Sequence, residues 1–327
     1  MLNFSPGALV ISLDLELYWG MRDVISLENY RENLEGVYRA VPEILNLFNT
    51  YNIHATWATV GFLYAQNSSE LKQKLPAQLP GYHQTELNPY NYLNELEAED
   101  NHLHFAPDLI DLIKQYPGQE IGTHTFSHYY CLEPGQTQGE FAVDLAAAIS
   151  MAQQADLETK SIVFPRNQYN QAYLATLKEC GIVCYRGNET SSIYNSKKGD
   201  GDCPRKRILR LIDAYLNFSG HNCTTWADVA GEYPLNIPSS RFLRPHNPKL
   251  RVLDNIRLRR ITSGLEYAAN KREIYHLWWH PHNFGVNLQE NLRFLELILQ
   301  QYQRLNKDHQ MQSLNMREVA ELSLENN

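Results

Sequence analysis

Glu120-Ile-Gly-Thr-His-Thr-Phe-Ser-His128, with Tyr129, Tyr130 and Cys131 after it, is the stretch from which the rest of the chain can be read. Pro117-Gly118 marks a turn and Gln119 to Thr123 a short strand, so His124 falls where that strand runs out. Two histidines four apart can point the same way from one helical turn, with Cβ atoms roughly 5–6 Å apart, close enough for both imidazoles to reach one metal ion. The carboxyl ends of strands are also where α/β sheets build their sites. The spacing is not specific by itself, since solvated or core histidines show it too. Thr125 stands where the zincin pattern needs glutamate, so a third ligand must come from elsewhere.

The beginning of the chain supplies candidates. Ala8-Leu-Val-Ile-Ser-Leu13 is a nearly continuous apolar run, the pattern of a strand buried on both faces. It ends in Asp14-Leu15-Glu16, whose two acids project to one side of an extended chain. Carboxylates at the end of a buried strand are costly unless a cation or a hydrogen-bond network meets them. The bland alternative is a pair of solvated turn acids. The sharper one has one carboxylate binding the metal beside His124 and His128, while the other acts as a base.

Three segments now stand in order: Ser12-Leu-Asp-Leu-Glu16, His124-Thr-Phe-Ser-His128 and Ile274-Tyr-His-Leu-Trp-Trp-His280. Together they resemble the signature segments of the polysaccharide deacetylase (NodB-homology, carbohydrate esterase family 4-like) family, over roughly residues 8–285. The resemblance implies an α/β fold, a distorted (β/α)7-type barrel of the glycoside hydrolase/deacetylase type. It further implies one catalytic domain over residues 1–327, with a long insertion at 62–106 after the second strand. It implies that Glu16, His124 and His128 hold a divalent metal, zinc first among them, and that Asp14 is the base, with the reverse assignment of Asp14 and Glu16 left open. Leu15 departs from the common form, which has two adjacent aspartates. At the place of the family's third segment stands Phe164-Pro-Arg-Asn-Gln-Tyr169, with Arg166 the expected partner of the base. No copy of the fourth segment is found. His280 is the expected acid.

Net charge is −8 and no dense Lys/Arg run exists, which argues against nucleic acid as a partner. Met1 to Gly7 lacks the pattern of a secretory signal, and no apolar stretch approaches a membrane span. Five scattered cysteines suit a reducing compartment. A cytoplasmic location is expected, with Cys180 and Cys184 in the core.

Helices are expected from Pro42 to about Thr50, Pro107 to Tyr116, Glu140 to Gln154, Asn170 to Cys180, Lys206 to Asn217 and Leu288 to Leu305, with a short polar tail last. Strands are expected over His54 to Gly61, Ser161 to Phe164, Ile182 to Tyr185 and Ser239 to Pro245, a βα alternation that suits a barrel. Ser196 to Pro204 has loop composition. Residues 62–106 lack clean periodicity and are the first candidate for substrate selection; His83, His102 and His104 there are expected at the surface. The Arg251 to Arg260 charges are expected on a solvated helix face. In the late strand His276, Trp278 and His280 share one side, His276 being the deeper core residue and His282 the alternative acid. Arg186, Tyr169, Trp278 and His282 are the expected substrate contacts, although an ion pair suits Arg186 equally.

The expected activity is removal of N-acetyl groups from a sugar or glycan, the metal polarising the amide and Asp14 taking a proton from water. Backbone N–H groups of the 166–169 loop are expected to help hold the oxyanion. An interior location narrows the substrate to a lipid- or nucleotide-linked sugar. Hydrolysis of a small amide, Fe(II) oxygenase chemistry and a non-catalytic glycan-binding descendant are the rivals.

Overall fold

The computed structural model describes residues 5–194 and 204–325. Among these residues run β1 (Ala8–Leu15), β2 (Ala55–Thr59), β3 (Gln119–Thr123), β4 (Ser161–Val163), β5 (Cys184–Arg186), β6 (Leu235–Asn236), β7 (Arg241–Phe242), β8 (Ile274–Trp279) and β9 (Gln312–Leu314). Every strand pairing is parallel, in the order β6-β5-β4-β3-β2-β1-β8-β7, with β9 beside β1. This is the distorted (β/α)7-type barrel the sequence leads one to expect, with β6 and β7 at the two ends of the order. The loop expected over Ser196 to Pro204 lies outside the described residues except for Pro204, which opens a helix.

The helices are α1 (Leu27–Glu35), α2 (Val37–Tyr51), α3 (Ser68–Gln73), α4 (Pro89–Glu95), α5 (Pro107–Lys114), α6 (Gln138–Gln154), α7 (Leu174–Glu179), α8 (Pro204–Asp213), α9 (Trp226–Val229), α10 (Asp254–Lys271), α11 (Leu288–His309) and α12 (Met316–Glu325). β1 shows how a strand buried on both faces divides its side chains. Leu9, Ile11, Leu13 and Leu15 join the large apolar cluster that includes α2, α10 and α11. Ala8 and Val10 join the smaller cluster with Cys184, Leu235 and Met316. Ser12 and Asp14, in the same alternation, are buried and polar, and they begin the site.

Several expectations need correction. The helix expected from Pro42 begins at Val37, so Pro42 lies inside it, and α1 precedes it. The 62–106 segment is no loose loop. It carries α3 and α4 and packs Phe62, Leu63, Leu103 and Phe105 into the core beside Trp19. His83 and His102 are exposed as expected, but His104 is buried. Tyr92 Oη lies 2.9 Å from its Nε2, and burial pushes its imidazole down to about 4. The basic run from Arg251 to Arg260 is not one solvated face: Arg251, just before α10, and Arg259 are exposed, whereas Arg257 and Arg260 are buried. Arg257 pairs with Asp254 at 3.0 Å, and Arg260 donates to the Asp213 carbonyl at 3.2 Å.

The expected polar tail is β9 and α12. β9 pairs with Ala8 to Val10, below the point where β2 takes up Ser12 to Leu15. Glu120, buried in the barrel, accepts from Thr56 Oγ1 at 2.7 Å and from the Arg317 backbone N–H at 3.1 Å. The start of α12 thereby floors the barrel at the end opposite the site.

Candidate active site

Asp14 and Glu16 stand at the carboxyl end of β1, His124 just beyond β3, Arg186 at the end of β5 and His280 just beyond β8. Beyond β1 the chain turns tightly through Leu17–Gly20, folding that segment back over Glu16. A Cβ built at Gly20 would land on the Glu16 carboxylate, so only glycine leaves room for that acid.

Glu16 Oε2 lies 3.3 Å from His124 Nε2 and 3.1 Å from His128 Nε2. The two histidines do not share a helical turn, as their spacing suggests. Thr125 and His128 take left-handed conformations in an irregular loop that still brings the rings to 5.0 Å between centroids. Asp144 of α6 holds this loop. It accepts from the Phe126 and Ser127 backbone N–H groups at 2.8 and 3.2 Å, and from the Ser127 hydroxyl. Burial pushes the Asp144 carboxyl up to about 6.

Each imidazole is fixed through its other nitrogen. His124 Nδ1 donates to the Val163 carbonyl at 2.8 Å, and His128 Nδ1 to Tyr130 Oη at 3.2 Å. Tyr130 donates in turn to Asp23 at 3.3 Å. The tautomers so set turn both Nε2 atoms towards Glu16. Burial pushes His128 down to about 4, which keeps it neutral at neutral pH. Burial alone would raise the Glu16 carboxyl, but the charge of His280 beside it draws it well below the usual range.

Asp14 has a different partner from the one expected. Arg186, not Arg166, grips it with two parallel hydrogen bonds of 2.7 Å. Arg186 also donates to Ser12 Oγ and Asn167 Oδ1, each at 2.9 Å, and lies 4.3 Å from the centre of the Trp278 ring. Ser12 continues the chain to His276, the hydrogen-bonded core histidine expected there. Arg186 is therefore sealed in, 1% exposed. Burial would raise the Asp14 carboxyl, yet Arg186, with His124 and His280, holds it below its ordinary value. Arg166 instead pairs with Asp23 and stacks on Tyr130, 4.2 Å from the ring centre, which places it behind His128. The backbone expected to hold an oxyanion is partly used up, because the Asn167 and Gln168 N–H groups bond to Phe164 and Pro165.

His280 Nε2 lies 3.5 Å from Glu16 Oε1 and 3.7 Å from Asp14 Oδ2, while its ring borders an open cleft. His282 is buried against it in a stacked pair, ring centroids 4.8 Å apart, its Nε2 4.0 Å from Glu16 Oε1. Burial pushes His282 down to about 3. Trp278 lines the cleft, but Tyr169 does not; its ring packs among Phe164 and Tyr185.

Sequence reasoning missed Asp23, Tyr130 and Asp144. Asp144 alone had a signal, an acid on the stripe of Phe141 and Leu145.

The donor set fits a divalent cation. Ligand atoms of Glu16, His124 and His128 lie within 4.8 Å of one another, as do those of Glu16, His280 and His282. His124 Nε2 is buried without a hydrogen-bond partner among the described residues. Two imidazoles and one carboxylate with room beside them are an open, catalytic type of metal arrangement.

Residues 35–185 match the family model described as polysaccharide deacetylase, a span that contains His124 and His128 but not Asp14, Glu16 or His280. No curated protein matches the chain. Among solved structures, a Mycobacterium smegmatis protein assigned as a polysaccharide deacetylase is 12% identical, with 99% of this chain and 93% of that one covered and a TM-score of 0.63. A Pseudomonas aeruginosa PAO1 protein assigned likewise is 10% identical, with 97% and 91% covered and a TM-score of 0.54. A 4-alpha-glucanotransferase from Thermococcus litoralis is 12% identical, with 97% and 40% covered and a TM-score of 0.52. The matched segment and the shared fold define the class: a barrel of the polysaccharide deacetylase type.

Proposed function

We propose that the chain is a metal-dependent carbohydrate N-deacetylase acting on an N-acetylated sugar or glycan. The convergence of Glu16, His124 and His128 beside the Asp14–Arg186 pair and His280, at the carboxyl ends of the strands, supports this reading most. Glu16, His124 and His128 hold the cation, zinc being the ion this set suits. When bound, it supplies Lewis acidity towards an amide carbonyl and towards water.

Asp14, ionised at neutral pH and fixed in plane by Arg186, accepts the proton of the attacking water. His280, at the rim of the cleft, gives a proton to the departing amine. The C–N bond breaks as the water oxygen joins the acyl carbon, leaving acetate and a free amine. Trp278 offers an apolar wall to the sugar. No helix among the described residues is long and apolar enough to cross a membrane. Cys131, Cys180, Cys184 and Cys223 are free thiols, which supports the cytoplasmic location we assign.

The test is metal analysis of the purified protein together with acetate release from N-acetylated sugars. His280→Ala should retain the metal and lose about 100-fold or more in turnover. Unchanged turnover would refute the role of His280. Loss of metal in that variant would move the cation to the Glu16, His280 and His282 group.

A further inference from the structure

From His280 and Trp278 the mouth of the barrel extends into a cleft of about 530 Å³, whose far side is formed by α8 and the segment after β7. Arg207 and Arg210 of α8 and Arg244 after β7 line it. This is a concentration of cations on a chain of net charge −8. Arg166, also on the cleft, is neutralised by Asp23 and Glu133. Among the described residues, Arg207 and Arg244 form no such pair.

Arg244 is half-buried. Burial depresses its guanidinium; Tyr194 and Tyr215 act against that, and Arg210 and Arg241 add to it. Among the described residues Glu189 is the one acid on the cleft wall; it is buried, accepts from Trp278 Nε1 at 3.4 Å, and burial raises its carboxyl. A half-buried guanidinium such as that of Arg244 is costly unless an anion meets it, and the exposed Arg207 guanidinium lies on the same cleft. Guanidinium forks match phosphoryl oxygens, and a phosphate or diphosphate accepts from several of them at once. Ile208 and Leu211, 56% and 40% exposed, line the same wall.

We propose that the substrate is a phosphate ester of the N-acylated sugar, its amide at His280 and its phosphoryl group against Arg207, Arg210 and Arg244. This rests on the deacetylase reading for the reaction but not for the phosphate subsite. A nucleoside diphosphate or an alkyl carrier presents the same phosphoryl chemistry.

Inorganic pyrophosphate titrated into the metal-loaded protein by calorimetry should bind, more weakly as salt rises. Arg244→Gln and Arg207→Gln, each shown folded by circular dichroism, should raise its Kd about tenfold. Acetate release is then compared for a neutral methyl N-acetylglucosaminide, N-acetylglucosamine 1-phosphate, its uridine diphosphate form and its octyl phosphate diester. The phosphorylated-to-neutral ratio of kcat/KM should exceed ten and fall about tenfold in Arg244→Gln. Preference for the uridine or the octyl compound supports the proposal and identifies the carrier.

Pyrophosphate binding unchanged in both folded variants, or an equal rate on the neutral sugar, would overturn the proposal and leave the deacetylase reading standing. Pyrophosphate held through Arg207 and Arg244, with no acetate released from any compound, would keep the subsite and sink the deacetylase reading.

Discussion

At the scale of single residues, the site depends on how β1 ends. Asp14 and Glu16 share a side of the strand, and the alternation that shows this is legible in the sequence. Their division of labour is not, because it depends on which cation each one meets. Arg186 comes from β5, far away in sequence, and no local pattern near Arg166 reveals that it turns away to Asp23. Removing one member of a buried pair leaves the other charge uncompensated. Asp14→Asn should cost about 3 kcal/mol in urea unfolding, and Asp14→Asn with Arg186→Met should recover part of that loss. A double variant as unstable as the single would show the pair does not act this way. Gly20→Ala should push the Glu16 carboxylate aside. We expect metal content to fall at least tenfold by mass spectrometry while far-UV circular dichroism stays unchanged.

At the scale of elements, the buried strands were readable because a parallel strand covered on both faces is nearly all apolar. The loop between His124 and His128 was misread as helical because (i, i+4) spacing is not unique to helices. Thr125 and His128 reach the same convergence through left-handed backbone. The element that enforces it is α6, through Asp144. Asp144→Ala would strand the Phe126 and Ser127 N–H groups in the interior. It should cost roughly 2–4 kcal/mol of stability and weaken metal affinity about 10–100-fold, read by thermal melting and by chelator competition. The misreading of α10 has the same origin. A run of arginines shows charge but not the direction each side chain takes, and Arg257 and Arg260 turn inward to carbonyls.

At the scale of the whole molecule, one buried cluster ties three elements together. Asp213, at the end of α8, meets Arg241 of β7 at 3.1 Å and Arg260 of α10 at 3.6 Å. Burial would raise its carboxyl, but Arg241 and its hydrogen bonds hold it at about 2, below the ordinary 3.8. Its contribution is full above about pH 4 and disappears as pH falls towards 2, because the unfolded chain takes up the proton first. Stability should drop by about 2 kcal/mol across that window, and Asp213→Asn should flatten that part of the curve in pH-dependent denaturation. The barrel's floor was illegible in the sequence, since three residues of strand and a ten-residue helix resemble a polar tail until their partners are known. β9 lies next to the first strand although some 300 residues of chain separate them. A ribosome adding roughly 5–20 residues per second needs about 15–60 s to get from one to the other. Ala8 to Val10 have both edges bare until β8 is made and one edge bare until β9 follows, so the earliest strand of this chain is among the last to be fully paired, and a nascent chain depends on something else to shield it.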